Sequence, residues 1–180
     1  AIARSSGDEL SISVNKMIEN LQAVAIEDKK RNWATEGLAI FADLLRSESE
    51  LSKLSDNIIS KLVKYLDANQ GAIFMVNEEN PKNLTLQMIV CYAYSRKKHL
   101  HQQVQIGEGL VGQCYLEKSS ILLTEVPNRY INITSGLGES KPSCVLITPL
   151  KREETVLGVF EIVSFTKLDE YQISFVEKVA

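Results

Sequence analysis

From Leu10 the apolar residues fall at Leu10, Val14, Met17, Leu21 and Val24, spaced four, three, four and three. That is the seam of a heptad helix, a repeat that buries itself against a partner helix. The window Glu27-Asp28-Lys29-Lys30-Arg31 puts Asp28 and Arg31 at the next seam positions, and the register resumes with Leu38, Ala42 and Leu45. One long coiled-coil helix with a weakened middle fits, as do two helices broken near Lys29; no proline before Pro81 forces a break. A second amphipathic helix follows through Leu51, Leu54, Ile58, Leu62 and Tyr65, with Asn69-Gln70-Gly71 as its stop. Ala72 to Val76 is a short apolar run read as a central strand, and Asn77 to Asn83, with Pro81, is its hairpin loop. Leu84, Leu86, Met88, Val90 and Tyr92 then alternate with Thr85, Gln87, Ile89 and Cys91, which is strand periodicity. Ser95 to Gln103 reads as a polar, basic loop leading to a short strand near Val104.

The stretch Ile106 to Leu150 organises the rest. Gly107-Glu108-Gly109-Leu110-Val111-Gly112 reads as a tight turn entering a short helix. Cys144 to Leu150 reads as a buried strand ended by Pro149, which has no N–H for a ladder. The polar connection between them, Val126 to Pro142, has a length uncommon inside compact domains unless it is functional. Thr155 to Ser164 is a further strand, with Gly158 for close packing. Tyr171, Phe175, Val176 and Val179 begin a last amphipathic helix, expected to continue into an output module.

The succession G-x-G-L-x-G, a strand ending Leu122-Leu123-Thr124-Glu125, Pro127, a polar loop, a strand ending in Pro-Leu, and Gly158-Val-Phe-Glu-Ile162 resembles a GAF domain from about Leu51 onward. The resemblance implies an α+β fold: an antiparallel sheet of about six strands with helices on one face, holding a small molecule between the sheet and short helices and loops. Gly7-Asp8-Glu9-Leu10 with Val14 to Leu21 resembles the second helix of a HAMP domain, the coiled-coil relay beneath the membrane in bacterial receptors. Together they divide the chain into a signalling helix, residues 1–48, and a GAF domain, residues 49–180. They imply the cytoplasmic part of a membrane-anchored bacterial sensor such as a histidine kinase, a parallel homodimer through the N-terminal helix.

In the GAF pattern the loop Tyr130 to Leu137 folds over the sheet. The candidate pocket is therefore Phe74, Tyr92, Tyr94, Tyr130, Ile133, Thr134, Ser135, Leu137, Val145 and Glu161. Aromatics with a few convergent polar groups suit a small-molecule site, and Glu161 between Phe160 and Ile162 is a carboxylate seldom buried without a partner. The alternative is a pocket filled by Phe74, Tyr92 and Tyr130 themselves, in a ligand-free module that dimerises and passes on helix motion. No cyclic-nucleotide signature Asn-Lys-Phe-Asp-Glu occurs, and no cysteine for a bilin thioether lies between Glu125 and Lys141, so the cofactor is unknown. GAF reductases of free methionine sulfoxide place cysteines where this chain has Val111, Thr134 and Ser135, and on that comparison the chain is read as no enzyme.

Composition narrows the remaining choices. The 180 residues are 44% hydrophobic, enough for a core, and the net charge of −3 is interspersed rather than gathered into a basic nucleic-acid surface. Three cysteines without framework spacing suit reduced thiols in a cytosolic compartment. Cys91 and Cys144 read as core residues and Cys114 as a packed helix residue. His99 and His101 share a strand face, but no third ligand stands at recognisable spacing, so they and Arg96, Lys97 and Lys98 read as a solvated edge without metal.

Overall fold

The computed structural model describes residues 6–78, 83–93, 96–98, 102–127, 133–135 and 138–180. The N-terminal heptads form one continuous helix, α1 (Ser6–Ser47), so the charged window around Lys29 weakens the seam without breaking the backbone. From residue 11 to residue 27 every side chain of α1 is exposed; from Trp33 on the helix lies against the body. A second helix, α2 (Leu51–Tyr65), buries Ser55, Ile59, Leu62 and Val63, one stripe at helical spacing. It ends earlier than Asn69: Asp67 takes a left-handed φ of 53°, its N–H donates to the Lys64 carbonyl, and the Ala68 N–H reaches the Val63 carbonyl. That pair of bonds closes the helix end without a glycine.

The chain then builds an antiparallel sheet from β1 (Gln70–Asn77), β2 (Thr85–Ala93), β3 (Arg96–Lys98) and β4 (Gln103–Gln105), followed by the helix α3 (Gly109–Glu117). After β5 (Ile121–Leu123) comes a small separate hairpin, β6 (Ile133–Ser135) with β7 (Gly138–Ser140). The long hairpin β8 (Cys144–Arg152) and β9 (Thr155–Ser164) leads to the last helix, α4 (Glu170–Val179). Strand order is β3-β2-β1-β9-β8-β5, with β4 also on β2. Since β3 and β4 meet opposite ends of β2, the sheet is six strand positions wide, the α+β architecture expected.

Three local readings change. Arg96 to Lys98 is an edge strand rather than loop, because Cys91–Ala93 on the free edge of β2 offer it unpaired backbone groups. Pro149 does not end its strand: β8 runs on to Arg152, and Pro149 lies past Ile147, where pairing with β5 stops, so its missing N–H costs no ladder bond there. The alternation of β2 is interrupted, since Ile73 pairs with Val90 but Phe74 with Met88, leaving Ile89 as a bulge. Leu86 and Met88 consequently join one core, and Val90 and Tyr92 the other.

Those two cores sandwich the sheet. On one face α1, α2 and α4 pack over Ile73, Val90, Leu146, Phe160 and Ile162. On the other, α3 packs over Phe74, Leu86, Val145, Val159 and Val163. The three-helix face centres on an aromatic cluster: Trp33 stacks on Tyr65 at 4.6 Å between ring centres, and Phe175 meets Trp33, Phe41 and Tyr65 at 4.9, 5.8 and 5.2 Å. The Tyr65 hydroxyl donates to the Trp33 carbonyl at 2.6 Å, and burial, then the Glu36 carboxylate, raises its pKa and keeps it a donor. Gly37 makes this approach possible, because a Cβ there would stand 2.6 Å from Phe175 and 2.7 Å from Tyr65. Gly37→Val is therefore expected to cost about 2 kcal/mol in urea unfolding, in the range for overpacked sites. A loss within experimental error would mean that α1 can lift from the body freely.

Candidate functional site

On the face opposite the three helices, an open cavity of about 320 Å³ lies between the sheet and the start of α3. Its sheet wall comes from Phe74 on β1 and Glu161 on β9; Gln102, Gln103 and Val104 form a second side; Glu108, Gly109, Leu110 and Val111 form the third. Period-two alternation puts Glu161 there, between Val159 and Val163 on this face, while Phe160 and Ile162 face the helices. It is 6% exposed, with Ala72 and Ile147 as its register partners on the neighbouring strands.

The α3 wall is held by backbone geometry. The Glu108 N–H donates to the Gln105 carbonyl at 3.0 Å, and the Gln105 N–H donates back to the Glu108 carboxylate at 3.1 Å. This reciprocal turn fixes where the helix starts, and Gly112 N–H to the Glu108 carbonyl is the first helical bond. Gln103 Nε2 donates to Thr85 Oγ1 at 2.7 Å, which ties the β4 side to β2.

Of the residues expected at a pocket from the sequence, Phe74 and Glu161 line this cavity. Val145 is on the same face, fully buried in the core beside it. Tyr92 is not there: the bulge at Ile89 turns it to the helix face, where Lys64 Nζ lies 5.8 Å from its ring centre. Ile133, Thr134 and Ser135 form β6, paired with β7. Tyr94, Tyr130 and Leu137, like His99 and His101, lie outside the described residues. Gln102 to Val104 and Glu108 to Val111 complete the wall, and no residue among them is a pocket candidate on sequence grounds. The glycine-rich turn is a signal for it, but only the pairing of β4 with β2, Gln105 opposite Thr85 and Gln103 opposite Gln87, shows that the turn closes a cavity.

All three cysteines are buried. Burial pushes the Cys114 thiol up to about 12 from 9.0, with Lys151 opposing and Glu117 reinforcing the shift. The folded state thus holds the proton more tightly than the unfolded chain, so this contribution to stability is intact below pH 9 and is lost as pH rises from 9 toward 12. The unfolding temperature is expected to fall over that window, and to fall less in Cys114→Ala; equal profiles would refute a buried thiol. Among the described residues no cluster of three or more His, Cys, Asp or Glu could hold a metal, and no helix is long and apolar enough to cross a membrane.

The GAF domain family pattern matches residues 48–180. Among solved structures, the chain is similar to the GAF domain of nlh2 from A. aeolicus in an inactive state, at 17% identity over 83% of this chain and 90% of that one, TM-score 0.63. It is also similar to the GAF domain of a phosphoenolpyruvate-protein phosphotransferase from Acinetobacter, at 17% identity over 81% and 87%, TM-score 0.63. A third similarity is to free methionine-R-sulfoxide reductase from Neisseria meningitidis in complex with its substrate, at 16% identity over 83% and 83%, TM-score 0.57. No curated protein matches the chain. The reductase corrects the exclusion of an enzyme made from the sequence: an enzyme is built on this same fold, so the fold does not rule out an activity.

Proposed function

The chain belongs to the GAF domain family, a family of small-molecule-binding and regulatory domains, and from that premise we propose that it is a sensor whose ligand occupies the cavity between β1, β9 and α3. The observation that carries this reading is the open space itself. About 320 Å³ falls at the lower end of the roughly 300–1,000 Å³ of small-molecule sites, whereas a site filled by its own side chains would favour a ligand-free relay. Phe74, Leu110 and Val111 supply apolar wall and Glu161 a polar one.

The route outward runs through β9. Glu161 faces the cavity, and its neighbours Phe160 and Ile162 pack in the cluster that contains α2, α4 and the second half of α1. A ligand that favours one setting of β9 biases the helices by its difference in affinity for the two settings. Helices α1 and α4 advance together, Lys30 and Trp33 beside Tyr171, then Gly37 and Phe41 beside Phe175. Input along α1 and output along α4 therefore lie side by side. The HAMP-like character of Gly7 to Leu21 supports a place in a membrane-anchored bacterial receptor such as a histidine kinase, with this segment on the cytoplasmic side.

A thermal-shift screen of defined small molecules tests the reading. A ligand of the folded state stabilises it by RT ln(1 + L/Kd) at free concentration L, and so raises the unfolding temperature as L exceeds Kd. At least one compound is expected to do so with the wild-type chain and not with Val111→Trp, whose indole fills the cavity. A library without any shift, or equal shifts in both proteins, would contradict the proposal.

A further inference from the structure

The charged side chains around the cavity between β1, β9 and α3 are of one sign. Glu161 stands in its sheet wall, 6% exposed, and Glu108 on its exposed rim, and the described lining residues include no Lys, Arg or His. Gln102 and Gln103 are neutral and can donate or accept, so they leave that sign unchanged. The strands beside Glu161 bring no cation through its register partners, Ala72 and Ile147, or through Val159 and Val163 on the same face. Glu161 interacts within the chain as well, and a carboxylate with about four acceptor sites can take a ligand's donors besides. The start of α3 works the other way, since Glu108 makes no side-chain cap bond and the first N–H groups remain the positive end of the helix. Such an end amounts to about half an elementary charge, against two carboxylates.

We propose that the ligand of this cavity is a small organic cation, an ammonium or guanidinium head paired with Glu161 and drawn in past Glu108. The proposal rests on the reading of the cavity as the sensor site. Phe74, Val104, Leu110 and Val111 give the body of the ligand an apolar wall. At roughly 30 Å³ per water, about 320 Å³ holds about ten waters, so the ligand has roughly ten non-hydrogen atoms. A bare metal ion suits the site less, because among the described residues no group of three or more His, Cys, Asp or Glu could hold one. An organic head brings its own N–H donors, and hydrogen bonds to an ionised acceptor are about twice as strong as neutral ones. An anion of the same size would be repelled by both carboxylates.

Three probes of one shape separate the charges: phenethylamine, phenethyl alcohol and phenylacetate, each titrated into the full chain with the unfolding temperature as readout. Phenethylamine is expected to bind at least about tenfold more tightly than the alcohol, from the strength of hydrogen bonds to charged groups, and phenylacetate more weakly than the alcohol. Glu161→Gln keeps the size of the side chain, and should bring phenethylamine to the level of the alcohol while leaving the alcohol unchanged. Glu108→Gln lies at an exposed site and can still accept the Gln105 N–H through its amide oxygen. It is expected to weaken phenethylamine about threefold, as for an exposed charge, and so tests the proposal even if Glu161→Gln does not fold. Equal binding of the three probes, a preference for phenylacetate, or an undiminished preference for the amine in either folded variant would overturn the cation assignment. If those same shifts vanish in Val111→Trp, the cavity still binds small molecules and only the charge class fails. No shift from any probe would overturn this proposal and contradict the cavity as a ligand site.

Discussion

Phe175→Ala is expected to lower unfolding stability by about 4 kcal/mol, from the 3–5 kcal/mol range for truncating a buried phenylalanine. The side chain is 1% exposed and touches the rings of Trp33 and Phe41 on α1 and Tyr65 on α2, so its removal leaves a cavity between α4 and those two helices. Rings that size collapse poorly into a void, and edge-to-face contacts add about 0.5–1.5 kcal/mol per pair to the burial itself. Against a total stability of roughly 5–15 kcal/mol for ordinary domains, that is a large fraction. Urea titration measures it as a lower midpoint with little change of slope. The same variant should speed hydrogen exchange in α1 from Gly37 to Leu44, because Phe175 packs that part of the helix against α4, while Tyr171 still meets Trp33. A loss under about 1 kcal/mol would place the helix coupling elsewhere.

Gly112→Val should come close behind, at about 3 kcal/mol, the upper end of the overpacking range. A Cβ at Gly112 would stand 2.4 Å from the Gln105 carbonyl oxygen and 2.8 Å from the Gly107 nitrogen. Both are backbone atoms of the turn that closes the cavity, so no rotamer change relieves the contact. The start of α3 must move away from Gln105, which breaks the reciprocal Gln105–Glu108 bonds and displaces Leu110 and Val111. The variant is therefore expected to lose stability and ligand-induced thermal shifts together. Retention of both would show that the turn is not what sets the cavity wall.

Regular patterns carried most of the architecture in the sequence. The heptads of α1 and the stripe of α2 each repeat at one period, and the folded elements follow them. The sequence was least legible where one residue departs from the period or where pairing is remote. A single extra residue, Ile89, reverses the face of everything after it in β2, and so moves Tyr92 from the expected pocket to the helix side. No composition marks such a bulge, since Ile89 is as suited to a regular strand as its neighbours. Arg96 to Lys98 reads as loop because its residues are basic, but an edge strand needs only backbone groups and a neighbour. The placement of Glu161 rests on local alternation, while the wall it faces, Gln102 to Val111, comes from pairing across the sheet that no local pattern announces.

Native mass spectrometry of the chain with the compound that gives the largest thermal shift tests most directly whether the cavity is the sensor site. One compound per wild-type chain is predicted, and none on Val111→Trp under the same conditions. Equal loading of the two proteins would put the ligand elsewhere and contradict the account.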